Sequence, residues 1–101
     1  MSVQVEKENG VVKFVIENNM TIFNAAELKK TILEALSEPS NIQLDLSQVS
    51  EIDSAGFQLL LMLKNESKSN NKEYQITACS PAVDSLLDLF NLKENLLGDS
   101  A

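Results

Sequence analysis

Between Asn41 and Leu63 the hydrophobic pattern changes its period once. Ile42, Leu44 and Leu46 recur at every second position, as in a strand with one buried face. From Phe57 onward the apolar residues crowd together as Leu59, Leu60, Leu61, Met62 and Leu63, which suits a helix packed on more than one neighbour. Asp53, Ser54, Ala55 and Gly56 lie at the handover. A strand that feeds directly into so apolar a helix belongs in the middle of a sheet, and the chain is therefore expected to be an α/β protein.

The flanking sequence fills in the order of elements. Val3 and Val5 alternate with polar residues, and after Asn9-Gly10 the run "VVKFVI" places Val12, Phe14 and Ile16 on one side. Both turn positions of a two-residue hairpin need positive φ, which Asn and Gly tolerate, so a hairpin is expected. Asn24 then stands as a cap for a helix whose Ala25, Leu28, Ile32 and Leu36 recur at steps of three and four, ended by Pro39. The helix beginning at Ser54 extends to about Lys68 before "KNESKSNNKE" turns fully polar. In "YQITAC" the alternation puts Tyr74, Ile76 and Ala78 on one face and Gln75, Thr77 and Cys79 on the other. Ser80-Pro81 opens a last helix with a hydroxyl cap, a proline where its missing N–H is harmless, and Asp84 near the positive end of the dipole. Val83, Leu86, Leu87 and Phe90 form its stripe, and Leu92, Leu96 and Leu97 supply a short closing turn. Strand, strand, helix, strand, helix, strand, helix gives one domain over residues 1–101, an α/β sandwich whose later strands are parallel through right-handed crossovers.

Composition narrows the chemistry. Eight basic against fifteen acidic residues leave a formal charge of −7 on 101 residues, a field that repels phosphate backbones and anionic lipid, so a protein partner is favoured over nucleic acid or membrane. The chain has no histidine, the side chain most used for proton transfer near neutral pH, and one cysteine, so neither an internal disulfide nor a zinc site is expected. Cys79 suits a small buried hydrophobe. A Walker-type or dinucleotide glycine fingerprint is absent from the three glycines, and a serine nucleophile would lack a base. "MSVQVEKENG" does not have the pattern of a signal peptide and the longest apolar run, Leu59 to Leu63, is too short to cross a bilayer, so the cytoplasm is the expected location.

At the handover itself two readings stand side by side. In one, Ser54 caps the helix with its hydroxyl, Asp53 adds charge at the positive helix end, and Gly56 is tolerated in the first turn. In the other the serine is displayed for use, and Gly56 leaves room for a partner to approach. Met20, Ile22 and Phe23, between a strand and a helix, are candidate apolar contacts beside it. Asp45, between Leu44 and Leu46, fits the outward position of an alternating strand.

The string "LDLSQVSEIDSAGFQLLL" closely resembles the hallmark segment of STAS domains, the family of bacterial anti-sigma factor antagonists. "MTIFNAAELKKTILEAL" resembles the family's first helical region and "SPAVDSLLDLFNL" its last helix, so the resemblance covers nearly the whole chain. It implies a STAS-type sandwich: a mixed sheet of four to five strands with helices mainly on one face. It implies further that Ser54 is phosphorylated by a serine kinase of the ATPase fold that is itself an anti-sigma factor. The unphosphorylated antagonist would hold that kinase and free a sigma factor; the phosphorylated form would let go and be reset by a PP2C-type phosphatase. Asp53, Ser54 and Gly56 match the motif. Where many members carry an acidic "GELD"-like run before the first helix, this chain has "NNMT", with Thr21 at the acidic position. The expected partner surface is Asp53, Ser54, Ala55, Gly56, Thr21, Phe23, Asn24 and Ser47, on a monomer without catalytic residues, cofactor or metal. Its alternative within the family is a constitutive scaffold or an accessory subunit of a signalling or lipid-transport complex, in which Ser54 is never modified.

Overall fold

In a computed structural model, residues 3–35 and 41–89 are described. Four strands and three helices follow in the order β1 (Val3–Glu8), β2 (Val11–Met20), α1 (Ala25–Ala35), β3 (Asn41–Ile52), α2 (Ser54–Ser69), β4 (Tyr74–Cys79) and α3 (Pro81–Leu89). The expected Leu36, Pro39, Phe90, Leu92, Leu96 and Leu97 positions lie outside the described residues. The strands form one sheet in the order β1-β2-β3-β4, antiparallel between β1 and β2 and parallel thereafter. The hairpin forms where Asn9-Gly10 allows it: Glu8 pairs with Val11, and the two turn residues take φ of 50° and 79°.

One face of the sheet carries the core. Val12, Phe14 and Ile16 of β2 and Ile42, Leu44 and Leu46 of β3 join Leu28 and Ile32 of α1, Phe57, Leu59, Leu60 and Leu63 of α2, and Val83 and Leu87 of α3 in a single buried cluster. Leu28 and Ile32 of the first expected stripe and Val83, Leu86 and Leu87 of the last therefore turn to the same side. Among the core polar groups, the Tyr74 hydroxyl donates to the Leu60 carbonyl at 3.1 Å and the Ser67 hydroxyl to the Leu63 carbonyl at 2.9 Å. Burial pushes the Tyr74 phenol well above its usual range, so it stays protonated throughout ordinary conditions. The Ser80 hydroxyl accepts from the Val83 N–H at 3.2 Å, as expected of the cap of α3.

Three details depart from simple alternation. The register of β4 against β3 shifts after Ile76, so that Ala78 pairs with Asp45 and Cys79 with Leu46. This bulge reverses the expected faces: Cys79 joins the core side and Ala78 the open side. The third strand continues beyond its alternating Ile42, Leu44 and Leu46 to Ile52, through two register shifts against β2. Asn18, next to the second, takes the left-handed φ of 69° that asparagine tolerates. The extra length brings the end of β3 beside Met20, directly before α2 begins.

Candidate functional site

The handover between β3 and α2 is built around one carboxylate. Asp53, in extended conformation, is the N-cap of α2: its Oδ1 accepts from the Ala55 N–H at 2.9 Å and the Gly56 N–H at 3.2 Å. Its Oδ2 accepts from the Ile22 N–H at 3.0 Å, across to the loop between β2 and α1. The Ile22 amide above all, with those of Gly56 and Ala55, holds the Asp53 carboxyl below its usual range. Capping by Ser54 is thus corrected: aspartate and serine are comparable caps, and the one placed a residue earlier meets the free amides of the first turn. Ser54 becomes the first helical residue, exposed, with its hydroxyl outside the cap.

Gly56 is corrected as well. It is buried, and a Cβ there would stand 2.1 Å from the Met20 carbonyl oxygen, 2.8 Å from Ile52 Cγ1 and 2.9 Å from Met20 Cβ. The missing side chain lets the end of β2 press against the first turn of α2, where the Asp53 N–H also donates to the Met20 carbonyl at 3.2 Å. No room is left for a partner at this residue. Ala55, half-buried, instead helps line a shallow groove between α1 and α2 with Ala25, Ala26, Leu59 and Met62.

The loop beside this cap is held by Asn24. Its Oδ1 accepts from the Thr21 N–H at 2.8 Å and faces the Thr21 hydroxyl at 3.4 Å, while its Nδ2 donates to the Asn19 carbonyl. The Asn24 side chain thus turns back into the loop rather than capping the amides of α1, a correction to its expected role. Its backbone carbonyl accepts the first helical bond, from the Leu28 N–H at 3.0 Å. Thr21 and Met20 are buried. Ile22 and Phe23 project outward, 71% and 96% exposed. The loop, the end of β3 and Ala82 of α3 enclose a concavity of about 530 Å³ lined by Thr21, Phe23, Asn24 and Asp53 among others.

Ser47 is not part of this rim. It lies five positions before Ile52, about 16 Å along the strand at the usual rise. There its N–H and hydroxyl donate to Asp45 Oδ1 at 2.9 and 2.6 Å. These bonds, the hydroxyl's first, hold the half-buried Asp45 carboxyl below its usual range on the open face of the sheet. The structure therefore brings together Asp53, Ser54, Thr21, Phe23 and Asn24, buries Gly56 beneath them, and leaves Ser47 apart. The Ile22 amide is the partner that sequence could not supply, because a backbone donor 31 residues away leaves no mark in a local pattern.

With that geometry fixed, comparison with known proteins is direct. A family model described as "Mlab, STAS domain" matches residues 3–98. The chain belongs to the STAS domain family. Its fold is shared with an anti-sigma factor antagonist from Mycobacterium paratuberculosis, at TM-score 0.81 and 20% identity over 93% of this chain and 80% of that one. It is also shared with the anti-sigma factor antagonist SpoIIAA in its unphosphorylated form, at TM-score 0.76 and 18% identity over 90% and 82% of the two chains. A sulfate transporter family protein from Wolinella succinogenes matches at TM-score 0.73 and 21% identity over 88% and 73%. At these identities the structural likeness concerns the fold of this STAS domain, a mixed four-stranded sheet with three helices among the described residues. Among those residues, no cluster of three or more histidine, cysteine or carboxylate side chains is arranged to hold a metal, and no helix is long and apolar enough to cross a membrane.

Proposed function

We propose that this STAS domain is a phosphorylation-controlled protein-binding module of the anti-sigma factor antagonist type, working in the cytoplasm, with Ser54 as its switch. Unmodified, it holds an anti-sigma factor that is also a serine kinase of the ATPase fold, and a sigma factor goes free. The kinase transfers the γ-phosphoryl group of ATP to the Ser54 oxygen: the new O–P bond forms as the bond to the β-phosphate bridging oxygen breaks, ADP leaves, and the hydroxyl proton passes to a base on the kinase. A PP2C-type phosphatase hydrolyses the ester and restores the serine.

The observation that carries this reading is the division of labour at the start of α2. Asp53 does the capping, so Ser54 is exposed and its modification removes no cap. A phosphoryl group there carries about −1.5 to −2 charge beside the positive helix end, so the fold tolerates it. A partner seated over the serine would have to bury that charge, and losing even ~3 kcal/mol weakens binding more than a hundredfold. The exposed Phe23, on the rim of the same concavity as Asp53, supplies apolar contact for such a partner.

A second reading, a constitutive accessory subunit with unmodified Ser54, is favoured by the Mlab description of the family model and by the likeness to a sulfate transporter family protein. Incubation with the cognate kinase and ATP separates the two. The switch gives a mass gain of about 80 Da, one phosphoryl group, that is lost in Ser54→Ala. An unchanged mass supports the accessory subunit.

A further inference from the structure

We propose that Asp53 is a latch: its carboxylate positions the loop tip that carries Ile22 and Phe23, and a phosphoryl group on Ser54 releases that tip by taking over the amides that Asp53 now holds. This inference rests on the reading of Ser54 as the modified residue and concerns how the modification reaches the apolar surface beside it.

The carboxylate bridges two parts of the chain. Oδ1 binds the Ala55 and Gly56 amides of α2, and Oδ2 binds the Ile22 amide of the loop. The base of that loop has its own ties. Asn24 grips Thr21 and Asn19, the Asn24 and Ala25 amides donate to the Thr21 carbonyl, and the Met20 carbonyl accepts from Asp53. None of these bonds involves Ile22 or Phe23. Among the described residues, the bond to Asp53 is the one hydrogen bond made by a group of the tip itself, and the tip bears two exposed large apolar side chains, Phe23 at 96% and Ile22 at 71%.

A phosphoryl group on the adjacent residue meets the same donors. It brings three acceptor oxygens and a larger charge to the helix end where the Ala55 and Gly56 amides lie, in competition with Asp53 Oδ1, and it repels the neighbouring carboxylate. Displacing Oδ1 turns the carboxylate away from the helix end, and because the side chain is short the same movement draws Oδ2 off the Ile22 amide. The tip then loosens while its base stays fixed. Phosphorylation on this account acts twice, by placing charge in the interface and by withdrawing the orientation of Phe23.

The test is amide hydrogen exchange, followed by NMR on the full ¹⁵N-labelled chain in four forms: unmodified, Ser54→Ala, Asp53→Asn, and a chain with phosphoserine installed at position 54 during translation. Ile22 should exchange about tenfold faster or more in the phosphoserine and Asp53→Asn forms, with Thr21, Ala25 and Leu28 within about twofold of the unmodified chain and Ser54→Ala unchanged. Asparagine keeps the size of the side chain but has a single acceptor oxygen, so it cannot serve both sides of the bridge. If Asp53→Asn fails to fold, general loss of protection shows it and the phosphoserine chain decides alone. An Ile22 rate unchanged by phosphoserine overturns the latch. No kinase enters the measurement, so that result would leave the switch standing, whereas a chain that no kinase modifies would fail the mass assay and still show the latch.

Discussion

Gly56 offers two opposed expectations whose difference in sign is measurable. An alanine in the first turn of a helix gains roughly 1 kcal/mol over glycine from backbone entropy and propensity. Here, however, the new methyl carbon would stand 2.1 Å from the Met20 carbonyl oxygen, against an ordinary carbon–oxygen separation of about 3.3 Å. The end of β2 and the start of α2 would have to part by about 1 Å. Ile52 Cγ1 at 2.8 Å and Met20 Cβ at 2.9 Å block a sideways escape, and the obstacle is backbone rather than the end of a flexible side chain. Overpacking of this kind costs about 1–3 kcal/mol and sits at the upper end when backbone must move. The net expectation for Gly56→Ala is a loss of ~1–2 kcal/mol. In a chain of 101 residues this lowers the urea midpoint by roughly 1 M and the melting temperature by on the order of 10 °C. A midpoint equal to or above that of the native chain would refute the packing account and return Gly56 to the role of clearing space for a partner.

Phe23→Ala should leave stability within about 0.5 kcal/mol of the native chain, since the ring is exposed, yet weaken retention of the kinase in a pull-down; a large stability loss would contradict the exposed placement. Leu60→Ala, at a fully buried core position, should cost about 2–5 kcal/mol in urea unfolding. Tyr74→Phe should cost about 0.5–1.5 kcal/mol near neutral pH. Because the folded phenol titrates above its unfolded range, the native chain should lose stability as pH rises past about 10, and Tyr74→Phe should lessen that loss. The opposite sign holds for Asp53. Its folded carboxyl titrates below the ordinary aspartate value of about 3.9, so its contribution is complete above that pH and is lost as pH falls through the depressed value; the Ile22, Ala55 and Gly56 amide resonances should move together in that acid range.

How much of this was legible in the residues depends on how local the cause is. The hairpin could be seen because Asn9-Gly10 states its own backbone requirement, and the helices because Leu28 and Ile32, or Val83 and Leu87, repeat at helical spacing. The length of β3 was hidden: its two register shifts break the alternation through Ser47 to Ile52, so the polar stretch resembles a loop. The bulge in β4 swapped Ala78 and Cys79 for the same reason. At the site, the motif located Ser54, but neighbouring aspartate and serine are similar enough as caps that the pattern could not choose between them. Gly56 and Ile22 act through contacts with residues distant in the chain, the Met20 carbonyl and the Asp53 carboxylate, and only the folded arrangement brings these together.

The most direct measurement of the switch is the affinity of the cognate ATPase-fold kinase for two versions of the chain, one with unmodified Ser54 and one carrying phosphoserine there, compared by calorimetry at the same salt. A weakening of about a hundredfold or more with the fold intact is expected if a dianion at the mouth of α2 must be desolvated for the partner to stay. Equal affinities would contradict it.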